Sequence, residues 1–546
     1  MNKKHLASVF AILILFACKS KETAQHPSVP NSQHISVVTQ HNNNTRSGLN
    51  NHETVLRDTN VNTGRFGRLF NLVVDDQVYA QPLVVGNITI NGGTHNVAYI
   101  ATVNNSIYAY DADAGNLFWK KNFTASGMRP PKNSDMTNAC GGSYFDFNGN
   151  IGIVGTPVID SVGQTIYFVA RSTDNGSSFV QYLHAVNIIN GSERPGSPVL
   201  ITATYTGNGD GSVNNQISFD PQRQNQRQAL TLVNGVVYIT FSSHCDWGPY
   251  HGWILGYNAS TLQQQIVYND TPDGYNAGLW ESGTGMSADD AGNLFVVTGN
   301  GSVGVNNDPT NLRNRGESAM KLSVSGSTLN VSSYFTPFNF DYLEANDLDY
   351  GCVGSFLIPN SNYFFTGAKD GNLYLLNKDN LGGYQPTSNQ VQQTIFLGGS
   401  ANQHCQPAYY NGPSNEFVYI WSENDQLRAF PFNRSTNMFD VNSTVVGISG
   451  PWGQNGAMLS VSSNGNSSGT GILWASYSKS CDAEHSVCAG ILRAFNADDI
   501  TKELWNSDQN TADAVGNYAK FASPTIANGH VYLATFSNYV AVYGLK

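Results

Sequence analysis

A short unit recurs along almost the whole chain: a strand led by Pro, an apolar strand, a tight turn, then an Asp-Gly corner and a Trp. The first copy runs from "AQPLVV" (80–85) through "NVAYIATVNNSIYAYDADAG" (96–115) to "LFWKK" (117–121). Related stretches are "GTPVIDSVGQTIYFVA", "LVNGVVYITFSSH", "NLFVVTGNGS", "SFLIPNSNYFFTGAKDGNLYLLNKDN", "QPAYYNGPSNEFVYIWSENDQLRAFPFN", "GILRAFNADDITKELWN" and "ASPTIANGHVYLATFSNYVAVYGLK". That makes about eight units, each of three or four short strands broken by Gly, Asn or Asp, the pattern expected of propeller blades.

An all-β fold follows, a single eight-bladed propeller of four-stranded antiparallel blades over residues 36–546. The last unit lacks its outer strand, and "RLFNLVVD" (68–75) is placed to supply it. In the "A-x-D-A-x-x-G-x-x-x-W" corner, Asp turns the chain and Trp is large enough to fill the wedge between blades, which assigns Trp119 and Trp505 to packing. Charged residues are only 12% of the chain while Gly numbers 54, which favours strands and turns over charged surface helices. A formal net charge of -11, with no basic stripe, argues against a nucleic-acid partner.

The N-terminus reads as an export leader over residues 1–17, with "MNKK" ahead of a short apolar core. That core is shorter than the about 20 residues a membrane span needs. "LFAC" (15–18) resembles the lipobox of bacterial lipoproteins, which implies acylation of Cys18, a flexible tether over 18–35, and contact with the membrane through the lipid alone. The site of action is then the periplasm or the cell surface. Six cysteines follow Cys18; export permits disulfides, and Cys481 and Cys488 are close enough to close one loop. The pairing of Cys140, Cys245, Cys352 and Cys405 stays open.

Three further stretches carry a family resemblance. "TGNGS" (298–302), "FTPFNFDYLEANDLDYGCVG" (335–354) and "GAKDGNLYLLNKDN" (367–380) resemble, in the same order, active-site segments of the quinoprotein, or pyrroloquinoline quinone (PQQ) binding-like, β-propeller family. The likeness is to its alcohol dehydrogenases, and it extends to the entry segment "HNNNTRSGLNNHETVLRDTNVNTGRFGRLF". It implies PQQ and calcium as cofactors, Asn300 as a calcium ligand, Asp349 as catalytic base and Lys369 on the quinone oxygens. An Asn carbonyl suits a hard cation, a carboxylate can accept a hydroxyl proton, and an ammonium can polarise a quinone carbonyl. Each stretch also reads as a plain turn or a solvated acidic loop with Glu344 and Asp347.

The chain departs from the family in places. It lacks adjacent cysteines, with only Cys140 in that region. Leu348 replaces a Trp, and Arg171 lies near the position of the family's Glu ligand. "SSHCDWGPYHGW" (242–253) brings together His244, Asp246 and His251, and "NQHCQPAYY" adds His404. These types can ligate a transition metal, bind an organic ligand or simply build a loop. Two functions therefore stay open: oxidation of an alcohol or sugar hydroxyl, and cofactor-free binding of an envelope protein or glycan.

Overall fold

Strand Gly93–Ala101 shows how one repeat packs. Val97, Tyr99 and Ala101 belong to one apolar core, while Ala98 and Ile100 belong to another. Alternation sends successive side chains to opposite faces, so a strand buried on both faces is apolar throughout. In the computed structural model, which describes residue 1 and residues 34–546, eight four-stranded sheets of this kind form the blades of a propeller. Each neighbouring pair of blades shares one apolar core, and eight such cores link the ring. Among the described residues the one α-helix, Phe340–Ala345, lies between blades 4 and 5.

The innermost strands of blades 1 to 8 are Leu83–Ile90, Val158–Asp160, Thr231–Val233, Ser287–Ala288, Phe356–Leu357, Ala408–Asn411, Met458–Ser462 and Thr525–Ala527. Blade 8 takes its outer strand from near the start of the chain: Phe66–Val73 pairs antiparallel with Tyr539–Leu545. Trp119 donates its indole N–H to the Ile188 carbonyl of blade 2 at 3.0 Å and sits in the core shared by blades 1 and 2. Trp505 of blade 7 packs against Phe66 and Tyr543 of blade 8.

A sheet edge presents unpaired N–H and C=O groups, and the eight innermost edges point into one central channel. Residues 37–50 fill it. Val37 pairs with Val84 of blade 1, and the Val38 carbonyl accepts from Ile159 of blade 2. The carbonyls of Asn44, Thr45, Ser47 and Gly48 accept from Ala288, Leu357, Tyr409 and Val461, one in each of blades 4 to 7. The Asn50 amide donates to Ile526 of blade 8. Arg46, fully buried, covers blade 3 by donating to Leu230 O and Thr231 Oγ1, and it also bonds Met286 O, Thr39 Oγ1 and Gln40 O. The N-terminal segment is thus bonded to all eight blades.

Glu281 lies beside this plug, fully buried. Burial pushes its carboxyl up from 4.5 to about 8, against the backbone N–H of Val297 and the charge of Arg46, which pull it down. A raised folded-state pKa contributes stability that is complete below the unfolded value and is lost as pH rises through about 8. Glu281→Gln is therefore expected to raise the denaturation midpoint at pH 8 and to change it little at pH 5, as read by urea titration at the two pH values.

Residues 2–33, including Cys18 and most of the leader and tether, lie outside the described residues. No helix among the described residues is long and apolar enough to cross a membrane.

Candidate functional site

A cleft of about 1000 Å³, counted to its open mouth, lies on the ring axis. Its position follows from the repeat. Tyr79, Val154, Arg227, Cys352, His404, Gln454 and Phe521 line it, and each stands four residues before the innermost strand of its blade. Trp280 represents blade 4, seven residues before its strand. Eight crossover segments thus each place a side chain at the channel mouth. Gln406 ties this ring to the plug: its amide donates to Ser282 O at 2.6 Å, and its Oε1 accepts from the Gln40 amide at 3.2 Å.

Blades 4 and 5 contribute the charged wall. Strand Leu294–Val297 ends in the turn that carries Asn300, and the crossover after helix Phe340–Ala345 carries Asp347 and Asp349. Lys369 sits in the turn between strands Tyr363–Gly367 and Asn372–Asn377. The Asn300 backbone N–H donates to Asp349 Oδ1 at 2.8 Å, and its side-chain amide donates to Asp347 Oδ1 at 2.6 Å. Lys369 Nζ lies 2.5 Å from Asp349 Oδ2 and 3.3 Å from Asp347 Oδ1. Both glycines around Asn300 are needed for this approach. A Cβ on Gly299 would stand 2.3 Å from Asp349 Oδ1, and one on Gly301 would stand 2.3 Å from the Ala277 nitrogen.

The three residues drawn from the family resemblance therefore meet in one bonded cluster. Asp349, Asp347 and Lys369 line the cleft, with Asn300 directly behind them. Burial alone would raise the Asp349 carboxyl, but the Lys369 ammonium and the Asn300 N–H outweigh it and hold it below the ordinary carboxylate range. Burial likewise opposes the charge on Lys369, and the two aspartates overcome it, keeping the ammonium protonated. Asn300 is buried, and its Oδ1 has no hydrogen-bond partner, an acceptor of the kind that a cation or donor would satisfy.

The other loop residues separate. His244 is buried between Tyr144, whose hydroxyl lies 2.7 Å from Nδ1, and Arg171, whose guanidinium lies 3.2 Å from Nε2. Arg171 can only donate, so Nε2 accepts and Nδ1 carries the hydrogen. His251 is held by Thr271 and the Asp210 carbonyl. These two are bonded into the walls, whereas Asp246 and His404 line the cleft. Asp246 accepts from the Tyr250 hydroxyl at 2.5 Å, and burial, reinforced by Asp349, pushes its carboxyl up to about 7. No three His, Cys, Asp or Glu side chains among the described residues are grouped to hold a metal ion.

Sequence reasoning missed the partner of His404. Glu423 Oε1 lies 2.6 Å from its Nδ1, and both side chains are 7% exposed. The carboxylate fixes Nδ1 as the donor, leaving Nε2 as the acceptor, which the Gln454 amide meets at 3.3 Å. Nothing in the sequence links positions 404 and 423 except that both lie just outside strands of blade 6.

Two disulfides form. Cys481 pairs with Cys488, and Cys140 pairs with Cys245 across 105 residues with a Cα separation of 5.4 Å. Cys245 lines the cleft, so a disulfide borders the site, although not one between adjacent residues. The even count would allow a third bridge, but Cys352 and Cys405 are buried free thiols. Arg171, near the position of the family's Glu ligand, donates to Asn225 Oδ1 at 2.6 Å and brings a cation there instead.

No family model matches the chain, and no curated protein matches it in sequence. Among solved structures it is similar to the quinohemoprotein alcohol dehydrogenase from Comamonas testosteroni, with a TM-score of 0.57, 13% identity, and coverage of 93% of this chain and 80% of that one. A quinohemoprotein alcohol dehydrogenase from Pseudomonas putida HK5 gives a TM-score of 0.53, 14% identity and coverage of 93% and 80%. A europium-containing methanol dehydrogenase gives 0.55, 10% identity and coverage of 93% and 98%. At these identities the likeness establishes the PQQ-like propeller fold.

Proposed function

We propose that this propeller is an exported, lipid-anchored dehydrogenase that oxidises a hydroxyl of a small alcohol or sugar in the axial cleft with PQQ and calcium. The observation that carries this reading is the Asp349 cluster. A buried carboxylate at the channel mouth is fixed by Asn300 N–H and the Lys369 ammonium, with the Asn300 Oδ1 beside it unsatisfied. That orphaned oxygen and the Asp349 carboxylate suit a hard cation, and they are the residues that would hold calcium. Arg171 supplies no third oxygen. Bound PQQ would supply the two-electron acceptor.

The chain's own residues handle the proton. Asp349 accepts it from the substrate hydroxyl, and Lys369 keeps the carboxylate ionised beforehand. His404, held by Glu423, presents Nε2 in the same cleft and can pass the proton outward. Trp280 and Phe521 give the cleft apolar walls, which strengthens each of these charge interactions.

A second reading, cofactor-free binding of an envelope protein or glycan, is favoured by one observation: Lys369 stands between Asp347 and Asp349 and already neutralises carboxylates that a metal would use. Dye reduction by the purified protein separates the two, with PQQ and calcium added and a panel of alcohols and sugars as substrates. Turnover that requires both additions supports the dehydrogenase; no turnover on any substrate leaves the binding reading.

Export and anchoring through Cys18 form part of the proposal. Cys18→Ser is expected to abolish incorporation of labelled fatty acid and to move the protein from the membrane pellet to the soluble fraction. Fractionation that is the same for both proteins would remove the anchor.

A further inference from the structure

The crossovers into blades 3 and 8 bring donors to the same cleft. Arg227 lies between two aromatic rings, with its guanidinium 5.1 Å from the Trp280 centroid and 4.6 Å from that of Phe521. Its Nε donates to the Trp280 carbonyl at 3.1 Å, which leaves both terminal nitrogens without a hydrogen-bond partner among the described residues. These two ring contacts and the Nε bond restrain the fork before any ligand arrives, so less rotamer entropy is lost on binding. Next to Phe521, Lys520 is 6% exposed and also lines the cleft, and its ammonium donates to one backbone carbonyl, that of Glu484. Trp280 Nε1 is a further buried donor with no partner.

We infer that Arg227 and Lys520 form a carboxylate subsite, and that the cleft takes a hydroxy acid whose carboxylate rests on this fork while its hydroxyl faces Asp349. A planar guanidinium with two free parallel N–H groups matches a carboxylate in bidentate fashion, and the neighbouring ammonium adds a second charge. Asp146 acts on both cations, Asp349 also acts on Arg227, and Glu484 and Asp482 also act on Lys520, but none of these carboxylates is in salt-bridge contact with either cation among the described residues; His485 Nδ1 lies 3.0 Å from Asp146 Oδ1. Burial lowers both cations, Lys520 to about 8, and an arriving anion reverses that cost. The placement of the hydroxyl rests on the dehydrogenase reading; the carboxylate contact does not.

The test is calorimetric binding to the full mature protein of glycolate, lactate, glycerate and gluconate, each against the neutral alcohol of the same carbon skeleton. At least one acid is expected to bind about tenfold or more tightly than its neutral counterpart. Arg227→Lys and Lys520→Met should each weaken that acid by about thirtyfold or more while changing the binding of the neutral compound far less. Equal binding of acid and alcohol throughout the panel, or unchanged acid binding in both variants, overturns the inference. Competition between PQQ and the acid, lost in Arg227→Lys, also overturns it, because the anion on the fork is then the cofactor's own. Acid binding without dye reduction keeps the carboxylate subsite and removes the dehydrogenase.

Discussion

Asp349→Asn is expected to lower kcat by about 10² to 10⁴, the usual contribution of a positioned general base, with KM changed far less. The substitution keeps the shape of the side chain and the acceptor for the Asn300 N–H, but it removes the charge that faces Lys369 at 2.5 Å. The ammonium is then left in a largely buried wall without its main counter-charge, which costs about 3 kcal/mol or more. Loss of activity and loss of stability therefore arrive together in the single variant. The double variant Asp349→Asn with Lys369→Met separates them: its denaturation midpoint should recover toward that of the parent while turnover stays low. If turnover recovers with the midpoint, Asp349 is a structural partner of Lys369 and not the base.

The largest stability effect is expected at Arg46. Five hydrogen bonds run from its guanidinium to the plug and to blades 3 and 4, and the residue is fully buried. Arg46→Met keeps the bulk but takes the guanidinium donors away from Leu230 O and Gln40 O, leaves Met286 O with the Thr231 hydroxyl alone, and removes the charge that acts on Glu281. A cost of about 3 to 5 kcal/mol is expected, read as a fall in the urea midpoint. Because the plug meets every blade, proteolysis should cut the variant faster at the innermost strands than at the outer ones. An unchanged midpoint would mean that the ring closes without the plug, through the pairing of Phe66–Val73 with Tyr539–Leu545 alone.

The propeller was legible because each blade repeats the same local chemistry: turn residues at fixed offsets and strands apolar on both faces. "TGNGS" was legible as a turn, and its glycines carry a further meaning that only the structure supplies, since both clear space for neighbours distant in sequence. The cleft could have been sought four residues ahead of each Pro-led strand, but its residue types differ from blade to blade, so no pattern in composition marks them. Residues 37–50 have no periodicity, because each residue answers a different blade and the segment has no repeating partner. His404 with Glu423, and Arg227 between Trp280 and Phe521, arise where separate crossovers meet on the axis, which local sequence does not encode.

The most direct test of the central claim, that the axial cleft is a cofactor site organised by Asn300 and Asp349, is equilibrium titration of the purified protein with PQQ in the presence and absence of calcium, followed by tryptophan fluorescence. The account predicts saturable quenching that requires calcium and is weakened about tenfold or more by Asn300→Ala, through loss of one oxygen ligand to the cation. PQQ binding that ignores both calcium and Asn300, or no binding at all, would contradict it.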